Sequence, residues 1–309
     1  MARRGRSRRR ERPGPPGFLV VDKPPGMTSH DVVDEVRRRF GTRRVGHLGT
    51  LDPQATGVLP LALREATKLV PFMPSMQKAY VGTVRFGLES DTLDAEGTIL
   101  RTHDGPLPSE EQVRARLPEF VGEIEQIPPM YSAVKKDGVP LHRLARKGEE
   151  VEREPKKVTI ERIELLRFEE PDAEISVVCG PGTYVRTLAA DLGAGLGCGA
   201  LLQSLRRLQS GPFEITQAVT LEQLDEELAA GKLEERLIPP DEALRIDALE
   251  LGEEAIRHLC NGGDVSPGSD FRRAPGTRAI AKDAEGQTVA LVELRADRRL
   301  WPLRVLRAT

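Results

Sequence analysis

The sequence predicts an α+β fold: a mixed, mainly antiparallel sheet with helices laid on it, followed by a small, mainly β module. Three observations lead there. Short strand-like segments, alternating or continuously apolar, are interleaved with capped amphipathic helices; the prolines at 239 and 240 break the pattern after an acidic helix; and a hairpin with one more strand follows. A chain of 309 residues, 39% hydrophobic and 30% charged, can bury a core and form two domains.

Residues 1–16 hold seven arginines and one glutamate within the first twelve positions and end in Pro and Gly, which predicts a disordered basic arm. Such an arm can hold RNA nonspecifically, and a merely solvated tail explains it equally well. Residues 18–21 then read as a buried strand, and DKPPGMTS as a turn. A helix follows over 29–40, with Thr28 and Asp31 as a capping box, Val32, Val33, Val36 and Phe40 on one face, and Gly41 as its stop. Residues 46–57 form a loop of Gly, Thr, Asp and Pro containing His47 and leading into Val58-Leu59-Pro60-Leu61; loops of this kind on a rigid scaffold often carry function.

Residues 80–86 alternate as a strand does. Ser109 with Gln112 caps a helix whose apolar stripe is Val113, Leu117, Phe120 and Val121. Residues 158–166 and 175–178 read as strands joined through the turn at 169–172, and 182–192 carries Tyr-Val-Arg into a helix. The first domain is thus expected over 17–240. In the module at 241–309, a helix over 253–260 ends at Asn261-Gly262-Gly263, a hairpin over 278–294 turns at 283–286, and 301–306 is the last strand.

No apolar run approaches the ~18 residues of a membrane span, and the start lacks the apolar stretch of a secretory signal, so a soluble, cytoplasmic protein is expected. Cys179, Cys198 and Cys260 are widely spaced and odd in number. They fit reduced thiols better than disulfides or a zinc site, and no structural metal is expected. Net charge is −2, and the +6 of the first twelve residues leaves −8 for the rest. The summed field of the body repels a polyanion, so any RNA contact there must use local basic patches.

Among residues that can carry chemistry, Asp52 stands first. Asp-Pro in a Gly-rich loop is by itself a turn signal, but His47, Thr50 and Thr56 surround it with polar groups, and glycines 46, 49 and 57 allow close approach. Tyr80 is either a packed strand aromatic or a platform for a base, stacking being worth ~1–3 kcal/mol. Tyr184 and Arg186 lie two apart, which on a strand sends both to one side; an Arg beside a carboxylate would keep it ionised. Without known contacts, a surface pair explains them equally well. The less diluted part of a basic cluster, Lys135 to Lys147, is the candidate phosphate contact, along with Arg206 and Arg207 between Leu205 and Leu208, whose leucines are expected in the core. His142 and His258 have no metal-like partners at useful spacing.

At GHLGTLDPQATGVLPLALREATK, residues 46–68, the chain closely resembles the bacterial tRNA pseudouridine synthase B family. The resemblance continues through GFLVVDKPPGMTSHDVV (17–33), KAYVGTVRFGLESDTLDAEG (78–97), PPMYSAVKKDG (128–138), GTYVRTLAADLG (182–193) and LRRL (205–208). It implies a catalytic domain of pseudouridine synthase type with a small C-terminal PUA-like RNA-binding domain, acting on uridine 55 in the T loop of tRNA. It further implies Asp52 as nucleophile, Tyr80 stacked on the flipped uracil, and Arg186 paired with Asp52. His47, Tyr184 and Leu205 match positions lining the substrate site. Arg64 departs from a usual glycine, and His142 from a common tyrosine.

Moving uracil from its N1 to its C5 attachment on ribose transfers no electron, phosphate or net water. It needs a carboxylate for electron-poor ribose and a closed pocket, with no cofactor. tRNA is the expected partner of a monomer with no obligatory protein partner. The competing readings are an RNA-guided synthase, against which the long insert at about 97–123 argues; a noncatalytic RNA-binding or tRNA-folding protein; and a hydrolytic glycosidase using Asp91 or Asp94, whose SDTLDAEG setting is sufficiently explained by turn formation.

Overall fold

The computed structural model describes residues 11–307 apart from 75, 133, 137, 146, 150, 269 and 270, with the side chains of Lys135 and His142 also outside the description. The strand β1 (Gly17–Lys23) is buried almost throughout. Alternation sends Leu19 and Val21 to one face and Phe18 and Val20 to the other, and both faces are covered. This is why the segment reads as an unbroken apolar run. The helix α1 (Ser29–Phe40) forms as predicted, with the Thr28–Asp31 capping box at its start and Gly41, left-handed at φ 60°, at its end.

In chain order the further strands of the body are β2 (Val45–His47), β3 (Thr56–Leu63), β4 (Lys78–Phe86), β5 (Leu88–Ser90), β6 (Ile99–Thr102), β7 (Gly122–Gln126), β8 (Lys135–Lys136), β9 (Val139–Pro140), β10 (Lys156–Glu169), β11 (Asp172–Cys179), β12 (Ala200–Ser210) and β13 (Phe213–Glu214). Its further helices are α2 (Glu110–Arg116), α3 (Leu141–Ala145), α4 (Val185–Gly195) and α5 (Leu221–Ala230). Among the described residues one nine-stranded sheet runs β1-β3-β12-β4-β11-β10-β7, with β2 on β3 and β13 on β12. The β3–β12 pair is parallel and the other pairs are antiparallel, the mixed, mainly antiparallel sheet expected.

Two central strands, β3 and β12, were not foreseen. Pro60 in β3 reads as punctuation, yet its carbonyl accepts from the Leu48 N–H and the strand continues through it. In β12 the inward and outward positions are scrambled by register shifts between Leu202 and Ser204 and between Arg207 and Gln209. The segment GTYVRT is not a strand either: Tyr184 is the N-cap of α4 and Arg186 its second residue. The one-sided strand projection expected for that pair therefore does not apply.

After α6 (Pro240–Leu244), the strands β14 (Asp247–Glu250), β15 (Arg278–Lys282), β16 (Thr288–Leu294) and β17 (Leu300–Val305) form a second sheet, with α7 (Glu253–Cys260) against it. Ile280, Leu291 and Leu306 of this module join Phe18, Val20, Val58, Phe213 and Leu244 in one apolar cluster. The N-terminal segment is tied down as well. Arg12 donates its backbone N–H to Gly41, and Glu11 meets Arg43 and Arg44. Arg64 is buried at φ 54°, a backbone state in which glycine is the unstrained choice, and holds Pro15 O and the Glu234 carboxylate while lying over Phe40. Residues 1–10 of the expected arm lie outside the described residues.

Phe18 packs on Phe213 at 5.7 Å between ring centroids, within the cluster that both sheets share. Phe18→Ala is expected to cost about 3–5 kcal/mol and to lower the urea midpoint of the body and the C-terminal module together. Far-UV circular dichroism and Trp301 fluorescence check this; midpoints that separate contradict a common core.

Candidate active site

The loop between β2 and β3 carries Asp52 and is gripped residue by residue. Arg207, on the neighbouring β12, donates Nη2 to Gly49 O at 3.2 Å, Nη1 to Thr50 O at 3.3 Å and Nε to Val58 O at 2.6 Å. Ser29, at the start of α1, donates its hydroxyl to Leu51 O at 3.0 Å and accepts the Leu51 N–H at 2.9 Å. Lys23 donates its ammonium to Pro53 O at 2.7 Å, Pro24 O at 2.8 Å and Met27 O at 2.6 Å. Lys23 and Arg207 are both 0% exposed. Burial lowers the Lys23 ammonium to about 8, with Asp52 opposing the shift, so it remains largely charged at neutral pH; burial also lowers Arg207.

Asp52 is met from the other side by Arg186, whose Nε lies 2.9 Å from its Oδ2. The position of Arg186 at the N-terminal turn of α4 is fixed by its remaining donors: Nη1 to Thr92 O at 2.9 Å, Nη2 to Tyr131 O at 3.0 Å, and Asp94 Oδ2 at 3.4 Å. Arg186 is buried, whereas 40% of the Asp52 side-chain surface is exposed. Crowding by surrounding protein atoms nonetheless raises the Asp52 carboxyl above its usual value, with Arg186 pulling down, Asp94 pushing up, and Lys23 pulling down.

Tyr80 lies on β4 opposite Arg207 and is buried; burial pushes its phenol up, against the pull of the Arg207 charge, and keeps it protonated at neutral pH. Leu205 is opposite Gly82 in the same strand pair and half-buried. Tyr184 is clamped by the buried Gln126 amide, which accepts the Tyr184 N–H at 3.0 Å and donates to its carbonyl at 3.3 Å. Its phenol, beside Ser132, is likewise raised by burial. The charge of Asp52 is felt by both tyrosines. His47 sits on β2 opposite Leu61, its imidazole lowered by burial, and its buried Nδ1 has no hydrogen-bond partner among the described residues.

Of the residues singled out in the sequence, Asp52, Tyr80, Tyr184 and Arg186 thus converge, with Leu205 and His47 on flanking strands. Arg207 is corrected, being core at 0% exposure; Arg206 is half-buried and pairs with Asp22 at 2.7 Å, and Leu205 and Leu208 are half-buried, Leu205 packed against the core. Strand alternation alone required adjacent arginines to face opposite ways. Asp94 belongs to the site as well as to its turn, since its other oxygen accepts from Thr92 Oγ1 at 2.5 Å and Glu96 N at 3.1 Å. Lys23 was legible as a cation closing an apolar strand; nothing local marked Ser29 or Gln126. In the basic cluster, Lys136 donates to Glu152 O and Lys157 pairs with Glu123, while Arg146 and the side chains of Lys135 and His142 lie outside the description. Cys179 and Cys198 are free and buried, Cys260 free and half-buried.

An ionised carboxylate tied to a buried arginine and flanked by two protonated phenols can engage an electron-poor carbon. Asp94, occupied by Arg186 and its own turn, is poorly placed to act as an independent acid.

Residues 37–185 match the N-terminal domain of TruB family pseudouridylate synthases, and residues 186–245 the tRNA pseudouridylate synthase B C-terminal domain. The chain is 44% identical over 300 residues to tRNA pseudouridine synthase B of Pseudomonas aeruginosa (strain UCBPP-PA14), covering 94% of this chain and 96% of the relative. It is 48% identical over 256 residues to the protein of that name from Syntrophotalea carbinolica, covering 82% and 83%. A solved structure described as a Cbf5-Nop10-Gar1 complex is similar at a TM-score of 0.67 and 26% identity, over 94% of this chain and 85% of that one.

Because Asp94 pushes the Asp52 carboxyl upward, Asp94→Asn is expected to lower the Asp52 pKa, so that the ionised form persists to lower pH. Carboxyl-carbon NMR titration of Asp52 checks this; an unchanged or raised value contradicts it.

Proposed function

This chain belongs to the TruB family of pseudouridylate synthases, and we propose that it converts uridine 55 in the T loop of tRNA to pseudouridine with Asp52 as nucleophile. The observation that carries the assignment of Asp52 is its ion pair with the buried Arg186, close enough to Tyr80 and Tyr184 for both phenols to feel its charge. The target base leaves its stack, at a cost of a few kcal/mol that a tRNA loop lowers relative to a full duplex. Uracil then rests on Tyr80, with Leu205 and Tyr184 as further walls, and His47 supports the opened loop.

The Asp52 carboxylate attacks or stabilises ribose C1′ as the bond to N1 breaks. The retained base turns, C5 bonds to C1′, the C5 proton passes to solvent, and N1 gains a proton. Arg186 keeps Asp52 ionised and oriented against the upward pull of burial. No redox or group-transfer cofactor enters this balance.

We assign the catalytic unit to 17–240 and a PUA-like RNA-binding unit to 241–309. The protein acts as a cytoplasmic monomer on free tRNA without an obligatory protein partner. The test is an unmodified tRNA transcript carrying tritium at uracil C5, given to the purified chain alone. Release to water by the wild type, with the product mapping to the T loop, and loss of at least a hundredfold in Asp52→Asn are expected. Tight tRNA binding without release contradicts the proposal.

A further inference from the structure

Lys78, the first residue of β4, is a cation on the site's own face that the reaction above leaves unused. Strand alternation sets it on the same side as Tyr80, two residues on, between Ser210 of β12 and Cys179 of β11. It is half-buried, and among the described residues its ammonium makes no hydrogen bond or ion pair.

The ammonium reaches the loop that carries Asp52. A methyl group placed on Gly49 would lie 3.9 Å from Lys78 Nζ and 3.8 Å from Arg207 Nη1, so two cations converge on one glycine. Arg207 directs its donors to the carbonyls of Gly49, Thr50 and Val58, which carry no net charge. The Asp52 carboxylate is engaged by Arg186 from the other side and also feels the Lys23 charge. Burial and the Arg207 charge both push the Lys78 ammonium down, as expected for like charges held together in a partly dry place. An anion at this point relieves both effects, and the substrate supplies one at every nucleotide.

The geometry points to Lys78 as a phosphate-binding residue that holds the RNA backbone beside the target nucleotide, with Arg207 adding its positive field from below. This rests on the tRNA reading above. A phosphate contact positions the chain without reading its sequence, so Lys78 serves placement of the nucleotide rather than recognition of uracil.

The test measures binding of an unmodified tRNA transcript across a salt series, using the full chain with Asp52→Asn to prevent turnover. The same chain with Lys78→Met, Lys78→Gln or Lys78→Arg is compared. Methionine keeps the unbranched stem and removes the charge. Loss of one phosphate contact is expected to make the slope of log affinity against log salt shallower by about 0.7–0.9. Affinity falls most at low salt in both Met and Gln variants, and Arg restores slope and affinity. Equal slopes and affinities in all four overturn the role of Lys78, as does an Arg variant as weak as Met, which indicates packing rather than charge. A parent that does not bind tRNA at all removes the substrate reading itself, an outcome distinct from binding that is indifferent to residue 78.

Discussion

Lys23, at the end of β1, and Arg207, midway along β12, lie wholly inside the protein and donate to carbonyls of the same loop. A loop this tightly folded around Gly49 and Pro53 withdraws backbone oxygens from water, and each oxygen left unmet costs roughly 1–3 kcal/mol. Two cations rooted in central strands meet them and so fix the segment to the sheet. The crossing is possible because Gly57 lacks a side chain: at φ 95°, a Cβ there would stand 2.2 Å from Arg207 O. With its backbone immobilised, Asp52 presents its carboxylate to Arg186 in one orientation, as preorganised catalysis requires.

The electrostatics follow from the same arrangement. Positive charge lies beneath the loop at Lys23 and Arg207 and beside it at Arg186, while Asp52 and Asp94 share the latter. Burial pushes the Asp52 carboxyl up; its cationic neighbours Arg186 and Lys23 restrain that rise without abolishing it. Burial pushes the two phenols up as well, so they stay neutral and add no further anions beside Asp52.

How much of this was legible in the sequence depended on whether the information was local. The α1 capping box and stop, the β10–β11 hairpin and the C-terminal hairpin are local, and each formed where its residues indicated. β12 was hidden because two bulges interrupt its alternation, and β3 because Pro60 resembles a break. Asp52 stood out by its loop and by family resemblance. Ser29 and Gln126 did not, and Asp94 stood out only as a turn residue and a rival acid, since their roles arise only when segments 22 to 92 residues apart in sequence meet. Arg64 was visible as a departure from glycine, and its left-handed backbone gives the reason for glycine; its contacts with Glu234, Pro15 and Phe40 offset the strain.

The claim on which the rest depends is that buried cations hold the Asp52 loop. Hydrogen exchange over residues 49–55, compared between the wild type and Arg207→Met, addresses it directly. Faster exchange in that loop, with the β10–β11 ladder still protected, is the predicted result. Unchanged protection of the loop in a folded Arg207→Met protein would show that the segment keeps its shape without the cation and would contradict the account.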